Sequence, residues 1–466
     1  MPFYTRALTP EDYGILESIG VGMFFVVAVF NCGLDSASAR FFYMAKTEEE
    51  KGKVLFTVLV FRIITIIPIL VLSLFSQKIS IGLFGTDTYT WVVFLSIMTI
   101  PLQLLYSEQE HIYRFYFEAW KFNFVTIAKL LSTVGLGITL VVVMKMGVWG
   151  AQLNAFISAI IFFSFSFLVF NRKRYYYKFS WYWGKKMLYY GFPLIFAGIS
   201  LWFLSMSDRY ILLYFKSPED VGLYSVGGKI TQIMNLLAMA VQMSWGPLII
   251  SKYESETSKN KTETRRILSQ GWRLFIVISG TITLFLTIFG YEIIKILTPP
   301  VYYSAIIVIP FLAMSKILSQ SVQMTSSGIS FFQKTKHFAW ISPLVAIINI
   351  VLNIIFIPIF GLVAAAATTL IANLVKLLIT YNLSQKYFFV IRKANRVSIY
   401  LIIIFLLGCF VTFFDVYQIY HISIFGKIFI FLLGFLLSVI VGVINIKTVF
   451  SFYKQFLLKS PLIREK

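Results

Sequence analysis

Seven basic residues stand inside long apolar stretches: Arg62, Lys129, Arg209, Lys229, Arg273, Lys316 and Lys376. A Lys or Arg at the bilayer centre costs roughly 2.5–3.5 kcal/mol on insertion scales. Such a residue either faces a polar cavity and acts there, or sits near a helix end and reaches the interface with its long stem. Arg273, Lys316 and Lys376 lie near the ends of their stretches and fit the second case. Arg62, Lys129, Arg209 and Lys229 fit the first and are the candidate lining of a cationic cavity. The acids within or at the ends of the same stretches are fewer, namely Glu17, Asp35 and Asp208. A net-positive interior suits a phosphate or diphosphate, because a bidentate guanidinium and a point-charge ammonium together replace the water the anion loses. Asp35 and Arg40 flank the small-residue run Ser36-Ala-Ser-Ala39, which suits a packed gate better than a headgroup site. Asp208 beside Arg209 fits a structural polar pair, and Glu17 a cation or proton site or a capping contact.

Nothing else in the chain has the spacing of catalytic machinery. HExxH, Walker and GxSxG patterns are absent, and the two cysteines, Cys32 and Cys409, lie inside apolar runs as small hydrophobes. The three histidines, His111, His337 and His421, read as scattered loop residues. The expectation is no catalytic residue, no metal and no cofactor.

The elements that must hold those charges are membrane helices. The chain has 466 residues, 58% hydrophobic and 13% charged, with mean hydropathy +0.81. Apolar runs of helix-spanning length recur from end to end without the alternation of barrel strands. Thirteen spans are expected, at 13–33, 54–76, 89–107, 122–143, 148–170, 188–214, 219–250, 267–290, 302–322, 336–357, 361–382, 397–414 and 423–445. Of 41 Lys and Arg, 28 fall in one set of intervening loops and the tail, and six in the other set. The positive-inside rule makes the first set cytoplasmic, which places the C-terminus inside and Met1 outside. The formal charge of +21 therefore marks topology, and no RNA-binding motif supports a nucleic-acid partner. The basic run Arg172-Lys-Arg-Tyr-Tyr-Tyr-Lys178 reads as a topology determinant against anionic lipid.

Two echoes point to an internal duplication. Thr9-Pro-Glu-Asp-Tyr-Gly14 matches Ser217-Pro-Glu-Asp-Val-Gly222, and each opens a helix with a hydroxyl N-cap, Pro at the first turn and acids at the positive end of the dipole. Gly147-Val-Trp-Gly-Ala-Gln-Leu-Asn-Ala-Phe-Ile-Ser158 resembles Gly361-Leu-Val-Ala-Ala-Ala-Ala-Thr-Thr-Leu-Ile-Ala372, both at short turns between spans. The second copy of the Pro-Glu-Asp turn follows a full helix and the first only a few residues, so the expectation is a fourteen-helix design with one helix missing from the N-terminal repeat. No cleavable signal peptide accounts for the difference. The fold class is all-α and polytopic: two parallel six-helix repeats, the first helix absent, plus two extra C-terminal helices. The expected organisation is an N-terminal lobe over 1–170, a basic linker over 171–187, a C-terminal lobe over 188–382, and a helix pair with basic tail over 383–466.

Thr5-Arg-Ala-Leu-Thr-Pro-Glu-Asp-Tyr-Gly14, Gly33-Leu-Asp-Ser-Ala-Ser-Ala-Arg40, Ser207-Asp-Arg-Tyr210, Val221-Gly-Leu-Tyr224 and Asn349-Ile-Val-Leu-Asn353 with Ile357-Pro-Ile-Phe-Gly361 resemble the Wzx-type polysaccharide flippases of the multidrug/oligosaccharidyl-lipid/polysaccharide exporter superfamily. The resemblance runs from about Tyr4 to about Tyr381. It implies two six-helix lobes with a final pair, and flipping of an undecaprenyl-diphosphate-linked oligosaccharide (an O-antigen, capsule or exopolysaccharide repeat unit) across the bacterial cytoplasmic membrane. The implied partners are that lipid-linked sugar, membrane lipid and other polysaccharide-export machinery around a monomer. Alternating access would use Pro193, Pro247 and Pro343 as kink points. Trp202, Trp245 and Trp340 either line a glycan path or belong to interfacial belts. A multidrug exporter of the same superfamily is the alternative, although cationic drugs favour acidic cavities. A membrane polysaccharide polymerase or glycosyltransferase fits less well, because the outer loops are short and carry no paired carboxylates.

Overall fold

A computed structural model of the chain describes residues 2–168, 174–257, 260–332, 334, 336–390, 393–417 and 422–443. Among them, ten helical segments are long and apolar enough to cross a membrane, and Ile424–Ile440 adds a shorter apolar helix. The protein is a polytopic all-α membrane protein. Each of the thirteen expected spans has helix at its centre. The chain divides into two compact units, Met1–Gly222 and Leu223–Lys466.

The first unit contains α1 (Pro2–Ala7), α2 (Pro10–Phe30), α3 (Leu34–Met44), α4 (Glu48–Ser73), α5 (Ser76–Phe84), α6 (Thr90–Phe115), α7 (Ala119–Gly137), α8 (Gly147–Leu168), α9 (Trp181–Phe215) and the first turn of α10 (Pro218–Thr231). Helix α7 runs on through a wider π-type segment, Ile138–Val143. Helix α9 is held along α2 by directed contacts. Trp202 Nε1 donates to the Val21 carbonyl at 2.9 Å, and the Tyr210 hydroxyl to the Ser18 carbonyl at 3.1 Å.

The second unit continues with α11 (Ile233–Ser255), α12 (Thr262–Ile288), α13 (Gly290–Leu297), a 3-10 segment Pro300–Val308, α14 (Ile309–Thr325), α15 (Ser327–Phe331), α16 (Lys336–Tyr387), α17 (Ala394–Tyr417) and α18 (Ile424–Ile440). Helix α16 covers two expected spans because the chain turns at Gly361 without leaving helical geometry on either side. Buried polar contacts tie its second half to neighbours. Asn373 Nδ2 donates to Ser315 Oγ at 2.8 Å, and the Gly328 amide to Ser384 Oγ at 2.9 Å.

The two sequence echoes share local geometry. Thr9 Oγ1 accepts from the Asp12 amide at 3.1 Å while Asp12 Oδ2 accepts from the Thr9 amide at 3.1 Å, a complete capping box. Ser217 Oγ accepts from the Asp220 amide at 3.2 Å and donates to Asp220 Oδ2 at 2.9 Å. The second echo holds at the backbone: Gly147 and Gly361 have φ of 59° and 57°, the left-handed region open to glycine.

Three sequence expectations need correction. The apolar periodicity of α6 carries the helix to Phe115, so Glu108, Glu110 and His111 belong to a helix and not to a loop. His337 likewise lies in α16; His421 lies outside the described residues. Lys427, counted among the loop cations, is 1% exposed inside α18, where Nζ meets Asp415 Oδ2 and Glu292 Oε1, each at 2.7 Å.

Candidate functional site

Three intramembrane charges of the first unit, Asp35, Arg62 and Glu108, are gathered in one polar layer. Helix α4 buries Val54, Leu55, Val58, Phe61, Arg62 and Ile69 on one face, and α6 buries Ile97, Ile100, Leu104, Glu108, Ile112 and Phe115. Arg62 and Glu108 therefore occupy core positions of their helices. On one side of them lies an apolar cluster built with Phe41, Val58, Ile112 and Trp183. On the other lies a second cluster built with Ile19, Ile69, Ile97 and Leu104. The charged layer is sandwiched between two oily ones.

Asp35 reaches this layer because the backbone breaks at Cys32 and Gly33, with φ of 51° and 64°. The break seats on α9: a Cβ at Gly33 would come within 2.7 Å of the Gly191 carbonyl oxygen. Past it, Asp35 and Asn31 face the Arg62 guanidinium, which donates one nitrogen to each. Asn31 Nδ2 also donates to Asp35 Oδ2 at 2.8 Å. Arg62 Nε lies 3.6 Å from Glu108 Oε2, and His111 Nδ1 lies 3.6 Å from Asp35 Oδ1. Arg62 and Glu108 are fully enclosed, while the Asp35 side chain is 45% exposed. Neither Glu108 carboxylate oxygen accepts a hydrogen bond among the described residues. One guanidinium thus faces two carboxyl groups, an arrangement held by geometry and hydrogen bonds rather than by charge balance.

The other expected cavity cations also have acids nearby. Lys129 Nζ sits 3.2 Å from Glu110 Oε1 and 4.3 Å from the centre of the Tyr106 ring. Arg209 Nη1 donates to the Ser205 carbonyl at 3.2 Å and lies 3.3 Å from Asp208 Oδ1. Lys229 is half-buried on α10 in the second unit, and Glu17 is half-buried on α2. Arg40 is exposed at the end of α3, its guanidinium 4.6 Å over the Tyr190 ring. The structure brings Arg62 and Asp35 together and sets Asp208 against Arg209. It places Lys129 in a separate pair on α6 and α7. In the first unit Arg62, Lys129 and Arg209 each have a carboxylate partner.

Glu108, Glu110, His111 and Asn31 were missed from sequence. The signal for Glu108 was available: it continues the 97, 100, 104 face of α6 into Ile112 and Phe115. The tryptophans divide. Trp202 is buried and bonded to α2, and Trp245 is buried with its ring against Gly271, so both pack. Trp340 is 44% exposed and donates to His337 Nδ1 at 3.3 Å. The side chain of Pro247 and residues Arg172 and Lys173 of the basic run lie outside the described residues.

Outside the membrane segments, Arg174 hydrogen-bonds Glu118 and holds its carboxyl below the usual range. Burial, followed by a hydrogen bond to Glu48, pushes the Tyr116 hydroxyl up to about 12.

The fold is shared with solved membrane transporters. An inward-facing multidrug-resistance MATE family transporter of the MOP superfamily superposes with a TM-score of 0.68 over 83% of this chain and 92% of its own, at 14% identity. Lipid II flippase MurJ in an inward closed conformation superposes with a TM-score of 0.69 over 98% and 96%, at 17% identity. Residues 1–251 match the polysaccharide biosynthesis protein family model, and the chain belongs to that family. Residues 193–359 also match the MatE model. A probable flippase of Haloferax volcanii, AglR, is 26% identical over 170 residues, 36% of this chain and 35% of the relative. The match thus spans about a third of that curated relative's length.

Proposed function

We propose that the protein flips a polyprenyl-diphosphate-linked oligosaccharide across the cytoplasmic membrane by alternating access. The observation that carries this is the polysaccharide-biosynthesis match across residues 1–251, on a fold shared with flippases and exporters. The biased distribution of Lys and Arg supports a cytoplasmic C-terminus. The tail of the lipid stays in the bilayer, and the diphosphate and sugars pass along polar side chains. In this reading Lys129, Arg209 and Lys229 contact the diphosphate. Arg62, which is fully enclosed, acts through Asp35 as a positioning residue, and Asp35 offers its exposed edge to sugar hydroxyls or to His111. Arg40, Asp208 and Glu17 shape the gate. The bend at Cys32 and Gly33, and Pro193 and Pro343 within α9 and α16, are the places where helices can flex.

A multidrug exporter is the second reading. It is favoured by the MatE match over 193–359 and by the half-exposed carboxylate of Asp35, which suits a cationic drug. Proteoliposomes separate the two. Full-length protein should move a fluorescent polyprenyl-diphosphate sugar to the opposite leaflet and leave a lipophilic cationic dye where it is. Efflux of the dye with no movement of the sugar lipid overturns the flippase reading.

A further inference from the structure

The second unit carries a cluster of cations that no carboxylate balances among the described residues. Arg265, Arg266 and Arg273 line a cavity of about 230 Å³ beside α12. Arg396, in the first turn of α17, joins the cluster because it donates to the Gly442 carbonyl, the neighbour of the Val443 carbonyl that Arg273 reaches, and Lys393 stands just before α17 with its ammonium held below the usual pKa by desolvation and by the charges of Arg273 and Arg396. Among the described residues, none of these five lies within ion-pair distance of a carboxylate. Their hydrogen bonds go to main-chain carbonyls instead. Arg265 Nη1 donates to Phe389, Arg273 Nε to Ser269 at 3.2 Å and Nη1 to Val443 at 3.3 Å, and Arg396 Nη1 to Gly442 at 3.5 Å. The contrast with the first unit is sharp, because there Arg62, Lys129, Arg174 and Arg209 all have carboxylates. Carbonyl contacts orient guanidinium groups but leave their charge uncompensated.

An apolar groove of about 370 Å³ borders the same two helix turns. Trp272, next to Arg273, lines it, as do Ala394 and Val397 on either side of Arg396; Leu374 and Leu378 close it from α16. Leu374 and Leu378 are 41% and 50% exposed, so the groove opens on a greasy face of the unit. The positive end of α17 also points at the cluster.

We infer that this paired cavity is a binding site for an anionic phospholipid, its phosphate held by Arg273, Lys393 and Arg396 and an acyl chain laid in the groove of α12, α16 and α17. A phosphate supplies the missing countercharge and can accept from several guanidinium and ammonium donors at once. A chain of methylenes fills an apolar channel that leaves a soluble anion no reason to prefer this place.

The test uses the purified full-length chain in detergent and measures lipid binding by native mass spectrometry. Phosphatidylglycerol should bind more tightly than phosphatidylcholine. Lys393→Gln with Arg396→Gln should weaken the first by roughly 30-fold, the ratio two basic side chains near a membrane surface supply, and leave the second unchanged. Both positions are exposed, so folding is retained. Ser398→Trp, which fills the groove and leaves the cations in place, should also weaken phosphatidylglycerol. Equal binding of both lipids, or unchanged binding in the double variant, overturns the site. Glycerol phosphate competing as well as phosphatidylglycerol would overturn the lipid assignment and leave only an anion site.

Discussion

Gly14 and Gly222 meet face to face, 208 positions apart, where the first turns of α2 and α10 cross. A Cβ on Gly14 would overlap the Pro218 carbonyl oxygen and lie 2.9 Å from the Gly222 amide nitrogen; a Cβ on Gly222 would overlap the Pro10 carbonyl oxygen and lie 3.1 Å from the Gly14 nitrogen. The contact is reciprocal, as expected when two copies of one motif pack against each other. It turns a sequence echo into a physical joint.

Gly14→Ala and Gly222→Ala should each lower stability by about 1–3 kcal/mol, because the helices must separate to admit a methyl group. Gly20→Ala is the control: it lies on the same helix with open space at its Cβ, and should be neutral or stabilising by about 0.5–1 kcal/mol. Thermal unfolding of the detergent-solubilised protein distinguishes the two classes. Equal effects at Gly14 and Gly20 would show that the joint carries no stability.

Arg62→Met should cost about 3–5 kcal/mol, since it leaves Asp35 and Glu108 without their cation in an enclosed layer. Glu108→Gln should cost less, because Asp35 still balances the arginine. Arg62→Met combined with Glu108→Gln should recover part of the loss. A double-mutant cycle on melting temperature reads the coupling, and additive effects would mean that the two side chains do not interact.

Lys427→Met should be similarly damaging, by about 3–5 kcal/mol, because the Asp415 side chain is 4% exposed and loses the cation beside it. Adding Asp415→Asn should relieve much of it. The expected local signature is faster hydrogen exchange in α18 than in α12, since the lysine ties α18 to α13 and α17.

Lys129→Gln, Arg209→Gln and Lys229→Gln should each reduce flipping of a diphosphate-linked sugar by roughly tenfold or more while the protein still folds, the loss expected when a charged hydrogen-bond donor is removed. A fluorescence-quenching assay of the labelled lipid in proteoliposomes reports it. Normal rates in all three variants would remove these side chains from the substrate path.

The Glu118–Arg174 pair gives a pH dependence outside the membrane. Its folded carboxyl pKa lies below the unfolded value near 4.3, so its stabilisation is present above that pH and fades as pH falls toward the folded value. The stability gap between the wild type and Arg174→Gln should therefore be wider at pH 6 than at pH 3.5. A gap that stays constant would show that the ion pair contributes nothing.

The sequence by itself determined the membrane class, the helices, the two Pro-Glu-Asp starts and their caps. These depend on composition, on runs of apolar residues and on bonds formed within four residues, and all of that is local. It also singled out Arg62, Lys129 and Arg209 as charges that need a reason to be buried. Only the tertiary structure decided what the reason is. Asp35 reaches Arg62 because two left-handed residues turn the chain at Cys32 and Gly33, and Glu108 reaches it because α4 and α6 pack along their apolar faces. Asp35 on α3 and Glu108 on α6 stand 27 and 46 positions from Arg62, and no periodicity in the chain says that either of them meets it. Whether a buried cation is bare or paired is set by which faces meet, and that is a property of packing.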